Sequence, residues 1–164
     1  MTGRWPLLSV GIGSELGDDR AGRLVAERLA PAIPECPVRS LRHPATLLDL
    51  LEGVERLHVI DACRGLGACG TIRRSDWPAA ELATVRFGGT HDLDLVSVLR
   101  LAERLQLLPR QTTIWCIEAG EAAVKEGFAE PSIEVMAAVE RVVQSIAREV
   151  DLAGEPHAEA IGHA

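Results

Sequence analysis

A chain of 164 residues suffices for one domain with a substantial core, and 47% hydrophobic with 25% charged residues is the make-up of an ordinary folded protein. The formal charge of −7, with no Lys/Arg stripe, argues against nucleic acid as the main ligand, because neutralising phosphates takes clustered cations. No apolar run approaches the roughly 20 residues that span a bilayer, and the apolar start behind Arg4 is too short for a signal peptide; no membrane insertion and a cytoplasmic location are expected.

Leu7 to Gly13 is a short apolar run ending in glycines, the pattern of a buried strand. Asp18 and Asp19 then offer an N-cap to a helix carrying Ala21, Leu24, Val25 and Leu29 at helical spacing, which Pro31 and Pro34 should end. Cys36 to Leu41 reads as a second strand, with Pro37 marking an edge or a start. Leu47, Leu48, Leu50 and Leu51 suggest a short helix stopped at Gly53. Arg56 to Ala62 is the next apolar strand, Gly65 to Gly70 a loop, and Thr71 to Arg74 a short strand. A connector containing Trp77, Pro78, Gly88 and Gly89 leads to Thr90, a potential cap for a helix with Leu95, Leu99, Ala102 and Leu105 inward and Pro109 as its breaker. Thr112 to Ile117 is a β-branched strand. Ser132 opens a last helix with Val135, Met136, Val139, Val142, Val143 and Ile146 inward.

Strands alternating with helices of this length predict a single α/β domain of three layers over residues 1–153. Its sheet should be mixed and mostly parallel, with about five strands and helices on both faces. Residues 154–164 are small and polar and read as a loose tail. Cys36, Cys63, Cys69 and Cys116 lack the spacing of a zinc ribbon or a redox CxxC pair, so four free thiols are expected.

Ligands of such sheets bind beyond the carboxyl ends of the strands. The first strand delivers Gly11-Ile12-Gly13 and then Gly17-Asp18-Asp19, the third delivers Asp61, and the loop before the middle helix delivers His91. Two carboxylates and an imidazole at one sheet edge form an oxygen–nitrogen set suited to a transition metal. Each has a plainer reading. Asp18 or Asp19 could cap the first helix, Asp61 could satisfy loop amides, and His91 could lie on the surface. A dinucleotide site is excluded on two grounds. The glycines at 11, 13 and 17 miss the GxGxxG spacing, and two carboxylates stand where phosphate charge would fall. His43, between the second strand and Pro44, also faces the crevice or the solvent. Cys63, two residues beyond Asp61, is better read as structural than as a nucleophile.

Five segments share one further likeness. They are Val10 to Gly22 (VGIGSELGDDRAG), Val59-Ile60-Asp61-Ala62 with Gly70-Thr71-Ile72, Gly89 to Leu95 (GTHDLDL), Cys116-Ile117-Glu118, and Pro131 to Val135 (PSIEV). In order and spacing they resemble the motifs of the hydrogenase maturation endopeptidases, and the resemblance covers roughly residues 7 to 150.

This resemblance implies a compact α/β domain with Asp19, Asp61 and His91 as metal contacts and catalytic groups. It implies as partner the precursor of a [NiFe]-hydrogenase large subunit, cut a few residues beyond its last metal-ligand cysteine. Nickel would arrive with that substrate rather than as a permanent cofactor, and any divalent ion found in the free protein would be adventitious. Three departures from the family pattern matter, and the last, in a loop bordering the crevice, bears on substrate choice. Ser14 stands for the usual Asn, and Arg20 for the usual Gly. Arg42-His43-Pro44-Ala45-Thr46 replaces the Gly-rich loop of many members. Arg20 and His43 are thereby candidate substrate contacts. Two rival readings share the fold: a nickel-site checkpoint or chaperone that does not cleave, and a hydrolase acting on another protein.

Overall fold

The protein is described from a computed structural model over residues 5–88, 93–120 and 130–154. The elements are β1 (Leu8–Ile12), α1 (Ala21–Ala32), β2 (Val38–Leu41), β3 (Arg56–Arg64), β4 (Ile72–Asp76), β5 (Arg86–Phe87), α2 (Leu95–Arg104), β6 (Gln111–Glu118) and α3 (Ile133–Gly154). Short 3-10 turns at Gly17–Arg20, Pro44–Leu50 and Ala80–Thr84 join them.

The sheet runs β2-β1-β3-β6-β4, with β5 added antiparallel to the end of β3. β1, β2, β3 and β6 are parallel and β4 is antiparallel to β6. This is the mixed, mostly parallel α/β sheet expected, with six strands where about five were anticipated. β5, the additional strand, is only two residues long and offers no periodicity to read.

Because alternate residues of a strand face opposite sides, the sheet divides its apolar residues between two cores. Leu57, Val59, Ile114 and Cys116 meet α2 and the Pro44–Leu50 turn on one face. Ile60, Ala62, Trp115 and Ile117 meet α1 and α3 on the other. Both faces are thus covered, as a parallel sheet requires.

α1 is seated on β1 by two glycines. A Cβ on Gly22 would stand 2.2 Å from the Ile12 carbonyl oxygen and 2.4 Å from that of Ile60, and one on Gly11 would stand 1.9 Å from the Gly22 carbonyl oxygen. Backbone meets backbone there, which brings the start of the helix down onto the strand ends.

Several sequence expectations shift at element ends. Pro31 stands in the last turn of α1, and the helix ends at Ala32, between the two prolines expected to stop it. Pro31 has no N–H for the Glu27 carbonyl, and just beyond it the N–H of buried Ile33 bonds the Leu29 carbonyl at 3.0 Å and closes the helix. Neither Asp18 nor Asp19 caps α1, because the Gly17–Arg20 turn intervenes and Arg20 holds the capping position without a side-chain bond. The cap of α2 is Asp94, whose carboxylate accepts from the Ser97 N–H at 2.8 Å. Thr90, expected in that role, lies outside the described residues. α2 also stops at Arg104, short of Pro109, and leaves Leu105 at its end 54% exposed.

α3 continues through Gly154, the first residue assigned to the tail; residues 155–164 lie outside the described residues. Among the described residues no helix is long and apolar enough to cross a membrane.

Candidate functional site

β1 and β3 are adjacent and parallel, so their carboxyl ends deliver side chains to one edge of the sheet. Asp61 is the sixth residue of β3, on the same side of the strand as Leu57, Val59 and Cys63. It is 1% exposed, and its Oδ2 has no hydrogen-bond partner among the described residues. Burial pushes its carboxyl well above the usual range, and the negative charge of Asp19 adds to the shift, as does Cys63; the Ala62 N–H opposes it. A buried carboxyl with a bare oxygen and a second acid as neighbour is destabilised as an anion until a cation or a proton arrives.

Asp19 reaches the same place from the Gly17–Arg20 turn. Its N–H bonds the Leu16 carbonyl at 3.2 Å, and its Oδ2 accepts from the Ser14 N–H at 3.0 Å. That second bond uses backbone, so serine in place of the usual asparagine at position 14 leaves it intact. The Ser14 hydroxyl is spent locally, accepting from the Leu16 N–H at 3.2 Å. On its other side the Asp19 carboxylate lies against Gly88, where a Cβ would stand 2.1 Å from Oδ1. Gly88 in turn is tied over the end of β3, its N–H 3.4 Å from the Ala62 carbonyl. Gly88 was read in the sequence only as part of a connector; the contact that makes it matter spans the fold and leaves no local signal.

Asp18 does something different from its neighbour. It is 2% exposed. Its carboxylate accepts from the Gly120 N–H at 2.8 Å, the Ser132 N–H at 2.6 Å and the Ser132 hydroxyl at 3.0 Å, with the Cys69 thiol 3.7 Å away. It therefore joins the end of β6, the start of α3 and the loop after β3. Through this web Asp18 fixes the turn from which Asp19 projects.

The structure thus brings Asp19 and Asp61 together. Arg20 follows in the same turn, half-buried, at the start of α1. His43 is exposed and lies on the loop after β2, one strand outward from β1. That loop is linked to the β1–α1 loop by an ion pair between Arg42 and Glu15, and Arg23 stands 3.5 Å from the same glutamate. His91 lies outside the described residues, as does the rest of the 89–92 segment. Among the described residues no three or more His, Cys, Asp or Glu side chains are grouped to hold a metal ion.

Two other acidic or sulfur groups at this edge are accounted for structurally. Glu118, at the end of β6, accepts from the Leu66 N–H at 2.7 Å and the Gly65 N–H at 3.1 Å and so pins the loop after β3. The Cys63 thiol is pushed far up by its hydrogen bond with Cys116, by burial and by the charge of Glu118, which disqualifies it as a thiolate nucleophile. All four cysteines are free.

No protein-family model matches the chain, and no curated protein matches it in sequence. Solved structures do match it in fold. The [NiFe] hydrogenase maturation protease HybD from Thermococcus kodakarensis shares 24% identity at a TM-score of 0.68, with 88% of this chain and 98% of that one covered. HycI from the same organism, also a [NiFe] hydrogenase maturation protease, gives 22% and 0.67 over 92% and 95% of the two chains. The hydrogenase maturating endopeptidase HybD of E. coli gives 18% and 0.64 over 91% and 94%. The chain has the fold that these proteases share, over nearly its whole length.

Proposed function

We infer that the protein is an endopeptidase of hydrogenase maturation, which removes the C-terminal extension of a [NiFe]-hydrogenase large-subunit precursor once nickel is in place. The observation that carries this reading is the pair Asp19–Asp61, one acid from the turn after β1 and one from the adjacent β3, the latter buried with a bare oxygen. The fold shared with the maturation proteases and the five sequence motifs support it.

In this reading the substrate brings the cation that the two carboxylates lack. Nickel held by the precursor's cysteines is contacted by Asp19 and Asp61, the two oxygen donors of a mixed oxygen–nitrogen set. His91, three residues beyond Gly88 in sequence, completes the set. Hydrolysis needs water to attack the scissile carbonyl while a base takes its proton and the leaving amine gains one. Asp19, held by the Ser14 N–H, is the fixed contact, and Asp61 is either a further contact or, ionised once the cation is in place, the carboxylate that takes the proton of the attacking water and passes it to the amine. Arg20 and His43 border the crevice as substrate contacts. The cytoplasm, which keeps the four thiols reduced, is the compartment assigned to the reaction.

The test is the intact mass of a nickel-loaded precursor before and after incubation with the protein. The expected result is loss of one C-terminal peptide, abolished without nickel and in Asp19→Ala or His91→Ala variants that keep wild-type circular dichroism. Unchanged mass with tight binding would favour a non-cleaving checkpoint. Absence of both would remove this family of substrates, leaving a hydrolase of another protein.

A further inference from the structure

The opposite end of the sheet carries a feature that the peptidase reading does not use. A cleft of about 380 Å³ opens at the amino ends of β3 and β6, and Arg56, Arg74 and Arg110 line it. Among the described residues Asp76 is the one carboxylate in its wall, with Glu149 behind it against Arg74 and His58. Three guanidiniums thus meet two acids, both of them on Arg74, on a molecule whose formal charge is −7.

The three arginines are not equivalent. Arg74 is held in place: its Nε stands 3.1 Å from Glu149, its Nη1 3.1 Å from Asp76, and its guanidinium lies 5.7 Å from the centre of the Trp115 ring. Arg56 and Arg110 form no salt bridge among the described residues. They come from adjacent strand starts, since Arg56 pairs in register with Gln111. Bringing like charges to one concavity without counter-ions is unfavourable unless a ligand supplies them. Guanidiniums bind planar or tetrahedral oxyanions through paired N–H groups.

The rest of the wall adds hydrogen-bonding groups. Trp77 has an indole N–H with no partner among the described residues. Buried His58 accepts from the Trp115 indole at Nδ1, and its Nε2 proton faces Glu149 at 3.6 Å, so Trp77 is the donor left for a ligand. The volume lies within the range of small-molecule clefts.

We propose that this cleft binds a small multiply charged oxyanion, of the phosphate or polycarboxylate class, between Arg56 and Arg110. The site is remote from Asp19 and Asp61, at the other end of the parallel strands, and its occupancy does not depend on the peptidase reading.

Titration calorimetry of the full chain at low ionic strength tests this, with inorganic phosphate and pyrophosphate as one arm and citrate as the other. Saturable binding at about 1 mM or tighter is expected, accompanied by a change in tryptophan fluorescence from Trp77 and Trp115. The arm that binds more tightly assigns the class. An Arg56→Gln/Arg110→Gln variant should weaken binding about tenfold or more. Arg100→Gln/Arg104→Gln, which removes equal charge from α2, should leave it unchanged. No saturable binding of any of the three anions would overturn the proposal. So would equal weakening by both double variants, which would reduce the effect to overall charge.

Discussion

Asp18 and Asp19 show how far adjacent identical residues can diverge. Asp18 is surrounded by donors, three of them within hydrogen-bond reach of 3.0 Å, and functions as a buried tie. Asp18→Ala should cost about 3 kcal/mol, since it strands two backbone N–H groups in a protected site, and thermal denaturation should show a fall in Tm of about 10 °C. Asp61 behaves in the opposite sense. Its native carboxyl holds a proton more tightly than the unfolded chain does, so it favours folding below the unfolded pKa of about 3.8 and loses that advantage as pH rises through its raised native value. Asp61→Asn should therefore gain about 1 kcal/mol at neutral pH, a gain that disappears in acid, and under the proposed endopeptidase function it should also abolish processing. Chemical denaturation of both proteins at neutral and acidic pH checks this. A variant less stable at neutral pH would mean that the carboxylate is not a source of strain. Asp61 and Asp19 were both legible in the sequence, because strand ends in a parallel sheet announce where a crevice lies. The division of labour between Asp18 and Asp19 was not, since the partners of Asp18 lie 51 to 114 residues away.

At the scale of elements, the long apolar runs β1, β3 and β6 and the amphipathic α2 and α3 follow directly from periodicity. Their packing accounts for the two cores. What periodicity does not show is closeness of approach. Gly11 and Gly22 look like ordinary motif glycines in the sequence, yet each occupies a spot where a methyl group would strike a backbone carbonyl. Gly22→Ala should lift the start of α1 from the strands and cost about 1–3 kcal/mol, with processing falling as well because the turn bearing Asp19 moves with the helix. Equilibrium unfolding and the precursor mass assay measure the two effects separately. The end of α1 was legible, by contrast: Pro31 has no N–H for the Glu27 carbonyl, and the helix stops at Ala32, short of Pro34. The antiparallel β4 and the two-residue β5 depend on pairing partners rather than on their own composition.

The molecule as a whole should be sensitive to mild acid through His58. Burial lowers its pKa to about 4, against the opposing pull of Glu149, while Arg56 and Arg74 reinforce the decrease and Asp76 opposes it. The unfolded chain takes up a proton near pH 6.5 and the native protein does not until about 4. The stability that His58 contributes is therefore fully present above pH 6.5 and declines as pH falls from there to 4, by on the order of 3 kcal/mol, against the opposite trend from Asp61. His58→Gln, which keeps an acceptor for the Trp115 indole, should flatten that decline; an unchanged Tm profile between pH 6.5 and 4 would assign acid sensitivity to other groups. The Asp18 tie has a consequence at this scale too. It grips the chain at Gly120 and again at Ser132, so the take-off points on either side of residues 121–129 are fixed by a single side chain. Removing that one carboxylate would free the end of β6 and the start of α3 together, because the two share a single anchor.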